Sequence, residues 1–246
     1  MRTAIDLNCD VGEGIGNEHL LFPFITSCNI ATGGHAGDAN SMRKVASLAA
    51  KHQIRIGAHP SYPDPEHFGR VSRVMEKKEF QASIASQIEE FLQVLATLNL
   101  AMHHIKAHGA LYNDLARGGR IALDYLEVLE PYREKYIFYV PCGSEFARMA
   151  VERGFSIWEE AFADRAYDPG GTLVSRSESG AVLTDPESVA GQVLEMVRAN
   201  RVQCSDGTFY GMNPMTLCLH GDNPKAIVIL KYLTECLSKA SIPLVK

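Results

Sequence analysis

Short apolar runs rich in β-branched residues alternate along the whole chain with longer stretches of helical period. AIDLN (4–8), CNIA (28–31), IRIGA (54–58), HHIKA (103–107), YIFYV (136–140), FSIWEE (155–160) and TLCLH (216–220) have the length and side-chain bias of strands. Between them, SMRKVASLAAKHQ (41–53), KEFQASIASQIEEFLQVLATLN (78–99), SEFARMAVERG (144–154), PESVAGQVLEMVRAN (186–200) and PKAIVILKYLTECLSKA (224–240) repeat apolar residues at helical spacing. Asp38, Ser144 and Asp185 stand where a helix start needs a side-chain acceptor, and Gly154 where a helix ends. Alternation of this kind predicts a mostly parallel sheet covered by helices. Seven units fit an incomplete (β/α) barrel, with a doubly wound open sheet as the alternative. No linker, repeat or low-complexity tract divides residues 1–246, which read as a single barrel domain. In the first strand and its turn, Asp6, Asn8 and Asp10 recur with period two and share one face. In a closed barrel that face is the lumen.

Composition narrows the picture. Hydrophobic residues at 46% suffice for a large core and exclude disorder. The net charge of -5 is spread among intermixed acids and bases, so no basic groove invites nucleic acid. No apolar run approaches the ~20 residues of a membrane helix, and MRTAIDLNCD enters a strand at once, leaving no room for a signal peptide. The cysteines at 9, 28, 142, 204, 218 and 236 form no CxxC, as expected of reduced thiols in a cytoplasmic protein. GEGIGN (12–17) fails the glycine spacing of a dinucleotide fingerprint, and no GxxxxGK[ST] supplies a phosphate loop. Cys142 in VPCGSE has no histidine neighbour and reads as a turn residue.

The chemistry lies just beyond the strands. Asp10 and Glu13 follow the first, His35 and Asp38 the second, His59 and Asp64 the third. The end of the fourth delivers Lys106, His108, Tyr112 and Asn113, that of the sixth Glu159, Asp164 and Arg165, and that of the last His220 and Asp222. In parallel α/β architectures these C-terminal strand ends share the rim on which active sites are built. Any one of the histidines, each beside Gly or Pro, could be a turn filler; four equivalent placements point instead to a site. Carboxylates converging with imidazoles suit acid–base chemistry or a divalent metal. Lys106 is costly to bury alone, so it meets an acid or an anionic substrate. His52, His103 and His104 read as structural, at least one of the last two buried within a strand.

DLNCDVGEG, SCNIATGGHAGD, IGAHPSYPDPEHFGR, HHIKAHGALYN, EEAFADRAY, GTLVSRSESGAV and TLCLHGD resemble, in order and spacing, the LamB/YcsF family over essentially the whole chain. The resemblance implies a distorted seven-stranded (β/α) barrel of the glycoside hydrolase/deacetylase type. It also implies ATP-coupled cleavage of 5-oxo-L-proline to L-glutamate, in a complex with two further subunits, B and C, that complete the enzyme. Activation by B and C would leave this chain to bind the activated ring and add water. Asp10 or Glu13 would then be the base, with His35 and His59 as acid–base partners or metal ligands. Lys106 and His108 would stabilise negative charge. Asn8, Asp38, Arg70, Asn113, Glu159, Arg165, His220 and Asp222 would line the substrate, with Arg70 and Arg165 suited to bidentate carboxylate or phosphate recognition. The chain departs from the family pattern at Thr32 and Gly34, which stand for Cys and Phe, and at Ala107, which stands for Pro; Gly34 is expected to leave a roomier pocket. Two other readings compete. One is a stand-alone metal-dependent amidase or sugar deacetylase, its ion held by Asp10, His35 and His59. The other is a binding subunit without chemistry of its own. The segment 166–180 is either a lid or a surface loop.

Overall fold

Apolar strands that alternate with amphipathic helices bury both faces only when the helices wrap the sheet. A computed structural model, which describes residues 4–245, has this arrangement. Strands β1 (Asp6–Val11), β2 (Ser27–Ala31), β3 (Arg55–His59), β4 (His104–Lys106), β5 (Ile137–Pro141) and β6 (Ile157–Phe162) run parallel in chain order. After an antiparallel ribbon, β7 (Arg201–Gln203) with β8 (Phe209–Gly211), strand β9 (Thr216–Cys218) pairs with both β6 and β1. The sheet therefore closes into the expected seven-stranded barrel and the open alternative falls.

Around it lie α1 (Glu18–Leu21), α2 (Ala39–Lys51), α3 (Lys77–Thr97), α4 (Gly109–Ala116), α5 (Gly119–Leu129), α6 (Glu145–Glu152), α7 (Pro186–Ala199) and α8 (Ala226–Lys239). Side chains set the helix starts. Asp38 closes a capping box with Ser41 at the head of α2, Ser144 accepts from Ala147 N at 3.0 Å, and Asp185 accepts from Ser188 N at 2.8 Å. Gly154, at φ +78°, follows the end of α6. Along α3, Phe80, Ile84, Ile88, Phe91 and Leu95 form the buried stripe that packs towards the barrel, each such side chain contributing about 1.5–3 kcal/mol.

Strand parity divides β1. Leu7, Cys9 and Val11 join the apolar layer beneath the helices, while Asp6, Asn8 and Asp10 take part in a polar network. At its lower end Asp6 accepts from Ser27 (2.7 Å), Thr216 (2.6 Å) and Tyr139 (3.2 Å), and pairs with Arg55. Asn29 donates to Asn8 and Asp10 and accepts from His104 Nε2, all at 2.7 Å. The lumen is thus bound together by hydrogen bonds that leave few polar groups unmatched. Its upper end opens into the site.

Candidate active site

The two carboxylates and three imidazoles of the rim do meet. Asp10 ends the lumen-facing row of β1, and Glu13 is carried by the turn that follows. His35 lies in the loop after β2, His59 ends β3, and His108 lies just past β4 as the residue before α4. The His35 and His108 rings stack at 3.6 Å between centroids, only 4° from parallel, and His59 meets both rings edge-on.

Backbone and hydroxyl partners fix each ring. His59 Nδ1 lies 2.9 Å from the carbonyl of Lys106, and His108 Nε2 lies 2.9 Å from that of Phe68; a carbonyl only accepts, so both nitrogens carry hydrogen. Ser61 spends its proton on Tyr62 O, so it accepts from His35 Nδ1 at 3.0 Å. The remaining nitrogens turn inward. His59 Nε2 faces His108 Nδ1 at 3.0 Å and Asp10 Oδ2 at 3.4 Å, while His35 Nε2 faces Glu13 Oε1 at 3.1 Å. Lone pairs opposed at such distances require a proton or a cation between them. Phe68 and Gly69 reach this arrangement through left-handed backbone, at φ +56° and +62°. A Cβ on Gly69 would lie 2.9 Å from His35 Cβ, so only glycine lets the loop come this near.

The charges separate by environment. Burial alone would raise Asp10, yet His59 and Lys106 outweigh it and hold the carboxyl well below the usual range. Burial and then the Asp10 charge lift Glu13 to about 7. Burial, with His59 beyond it, lowers His35 to about 3 and keeps it neutral. Lys106 Nζ bridges Asp10 Oδ1 (2.9 Å) and Glu160 Oε1 (3.0 Å), and lies 3.2 Å from Cys218 Sγ. Burial pulls this ammonium towards neutrality, but Asp10, Cys218 and Glu160 reverse the effect and keep it charged.

Asp10, Glu13, His59, Lys106 and His108 border a cavity of about 830 Å³, which extends past Arg70, Asn113, Arg165, His220 and Asp222. His220 Nδ1 donates to buried Asp164 at 2.8 Å, and Asp222 pairs with Arg70 (2.6 Å) and Arg176 (3.1 Å). Four expected substrate residues have other employment. Asp38 is the exposed cap of α2. Asn8 lies beneath the cavity, donating to Glu160 and Thr216. Arg165 lines the cavity, but its guanidinium ties down the carbonyls of Val174 and Ala181. Glu159 accepts from Gly143 N outside the lumen, and its neighbour Glu160 occupies the inward position. Alternate residues of β6 point to opposite faces, so of the two adjacent acids only Glu160 enters the lumen. Gly34 does not widen the pocket either: a Cβ there would meet Gln87 and Ser61 at 2.5 Å.

The expected ligand trio also re-sorts. Asp10, His59 and His108 form one group whose ligand atoms lie within 4.8 Å of one another, and Glu13, His35 and His108 form a second. The donor set suits a divalent transition ion: inward nitrogens are bare, and each histidine's other nitrogen is already oriented by an oxygen acceptor. Residues 168 and 170–178 form one cavity wall, backed by Tyr210 of the ribbon. Neither the ribbon nor Arg176 stands out in the sequence. Three-residue strands with polar flanks carry little periodic signal, and Arg176 acquires its partner only through Asp222, distant in the chain.

A family model for the LamB/YcsF family matches residues 5–246. The A subunit of 5-oxoprolinase from Thermococcus sibiricus is 40% identical over 246 residues, covering 98% of this chain and 96% of its own. The protein of the same name from Bacillus cytotoxicus is 40% identical over 229 residues, or 91% of each. Among solved structures, the lactam utilization protein from Thermus thermophilus superposes with a TM-score of 0.91 at 32% identity, covering 98% of both chains. A GH30 endoxylanase from Clostridium papyrosolvens shares the barrel alone, at a TM-score of 0.54 and 8% identity, over 97% of this chain and 72% of its own.

Proposed function

This chain belongs to the LamB/YcsF family, and from that premise we propose that its cavity opens 5-oxo-L-proline to L-glutamate, as one component of an ATP-coupled complex with subunits B and C. It is a hydrolase acting on a cyclic amide. The observation that carries this reading is the convergence of Asp10, Glu13, His35, His59 and His108 beside the charged Lys106 at the cavity floor.

The chemistry has a clear obstacle. A five-membered lactam holds its amine against its acyl carbon, so ring closure has a high effective molarity and hydrolysis runs uphill. In this reading ATP supplies the drive through the partner subunits, and the chain's lack of a phosphate loop is consistent with that division. Within this chain, two carboxyls pushed apart in pKa divide the roles. Ionised Asp10, with His59, takes a proton from the attacking water, and Glu13, poised near neutrality, delivers one. Lys106 meets the negative charge that develops on oxygen. Asp222 holds Arg70 and Arg176 at the outer cavity, where either guanidinium can reach the substrate carboxylate.

Were an ion to take the place of the proton shared by these groups, Asp10, His59 and His108 would hold it, and Glu13 would keep its acid role. Bound there, it would acidify water and polarise the carbonyl. Among the described residues no helix is long and apolar enough to cross a membrane. The thiols of Cys9, Cys28, Cys204, Cys218 and Cys236 are free, in keeping with a reducing, cytoplasmic setting.

The deciding assay combines the purified chain with subunits B and C, ATP and 5-oxo-L-proline. Glutamate should form only with all components present, and Asp10→Asn should lower kcat by about a hundredfold or more. Cleavage of an N-acetyl sugar by the chain alone, with a stoichiometric metal, would replace this reading with a solitary deacetylase.

A further inference from the structure

Most polar groups around the cavity are matched, but two on its buried wall are not. Among the described residues, Glu160 Oε2 and the Tyr112 hydroxyl have no well-aligned hydrogen-bond partner, and both residues line the cavity at 2% and 5% exposure. An orphaned buried polar group costs about 1–3 kcal/mol, so a pair of them beside a cavity points to a ligand that completes them. The Glu160 carboxylate is not free to turn away. Its Oε1 accepts from Asn8 Nδ2 at 2.8 Å and meets Lys106 Nζ at 3.0 Å, which leaves Oε2 as the unused acceptor. Tyr112 stands beside that carboxylate, near enough to feel both its charge and its acceptor oxygen. Burial first and Glu160 second push the phenol well above its ordinary range, so it stays an O–H donor.

An anionic acceptor beside a neutral donor matches a group that offers N–H and C=O on a single edge. Open-chain amides are trans and direct the two to opposite sides. A five-membered ring forces the amide cis and sets them side by side. We propose that Glu160 and Tyr112 form the subsite that reads this cis-amide edge: Glu160 Oε2 accepts from the ring N–H, and the Tyr112 hydroxyl donates to the exocyclic oxygen. The assignment rests on the oxoproline reading and names the atoms by which that ring is recognised.

It also gives the scissile bond a direction. Lys106 Nζ lies between Asp10 (2.9 Å) and Glu160 (3.0 Å), so water is activated on one side of this ammonium and nitrogen departs on the other. In the overall hydrolysis the water oxygen bonds to the carbonyl carbon and the ring C–N bond breaks. Both water hydrogens finish on the nitrogen, which becomes ammonium, and the new acid is released as carboxylate. Glu160 then faces a cation where it had faced an amide N–H, and the stronger attraction favours the open product.

The test compares 5-oxo-L-proline with the lactone of the same outline, 5-oxotetrahydrofuran-2-carboxylate, whose ring oxygen replaces N–H. Each is titrated calorimetrically into the wild-type chain, Glu160→Gln and Tyr112→Phe, with thermal melts confirming that the variants fold. The wild type should prefer the lactam by about tenfold or more. Glu160→Gln should erase that preference by weakening the lactam alone, since the amide presents a donor to a donor. Tyr112→Phe should weaken both rings by similar factors, because both retain the exocyclic oxygen. Equal affinities in the wild type, or equal losses for both rings in Glu160→Gln, would overturn the subsite and leave the oxoproline reading intact. Failure of the wild type to bind either ring would likewise overturn the subsite, while glutamate formation with B, C and ATP judges the oxoproline reading separately.

Discussion

Lys106 lies between two carboxylates that would repel each other without it. Its ammonium is 2% exposed and within 3.0 Å of both Asp10 and Glu160. Removing one partner of such a cluster strands the others in a medium that solvates them badly. Lys106→Met should therefore lower stability by about 3–5 kcal/mol in urea unfolding at neutral pH. Adding Glu160→Gln should recover part of that loss, since one stranded charge disappears; additive losses in the double variant would contradict the coupling. The requirement that Lys106 be paired was legible in the sequence, because a lysine inside a strand cannot be buried alone. Its partners were legible only in part. Asp10 follows from the alternation in β1, whereas EE at 159–160 offers two acids of opposite parity, and strand periodicity did not identify the inward one.

Among elements, α2 separates structural from functional acids most clearly. Asp38 follows His35 in GGHAGD and shares its strand-end position, yet its carboxylate accepts from Asn40 N at 3.0 Å and Ser41 N at 2.7 Å as the helix cap. The backbone and hydroxyl hydrogens of Ser41, and then Asn40, hold this carboxyl below its ordinary value of 3.8 despite slight desolvation. A depressed pKa in the fold means that the cap stabilises above the unfolded value and fades as pH falls through the folded one. Asp38→Ala should lower Tm by about 2–4 °C at pH 7, with the gap closing in stronger acid and turnover unaffected. Asp38→Asn, which caps without titrating, should keep most of the stability and lose the acid dependence. A loss of substrate affinity in either variant would return Asp38 to the site. The longer elements declared themselves by period: seven strands and α2, α3, α6, α7 and α8 lie within a few residues of their expected bounds. The helices α4 and α5 were not anticipated. They are short, and each begins at a glycine with positive φ, which reads as a turn when only local sequence is weighed.

At the scale of the molecule, the site exists only because the barrel closes. Asp10 and Glu13 follow β1, His35 follows β2, His59 ends β3 and His108 follows β4, so the unfolded chain has no preformed cluster. A divalent ion that binds there stabilises the folded state alone, and its binding appears as a rise in Tm. An ion at a thousand times its Kd adds about 4 kcal/mol, or about 10 °C for a chain of this size. Competition with protons gives the dependence its sign: where Glu13, His35 and His108 take the ion, Glu13, raised to about 7, must first release its proton, so the rise should grow from pH 6 to pH 8. His108 belongs to both candidate groups, so His108→Ala should abolish the shift whichever group holds the ion. His220, whose imidazole is engaged by Asp164 rather than by the cluster, provides the control, and His220→Ala should keep it. Thermal melts of the chelated chain titrated with zinc or manganese settle the matter. A shift that survives His108→Ala would place the ion elsewhere, and no shift in the wild type would leave a shared proton, rather than a metal, between His59 and His108.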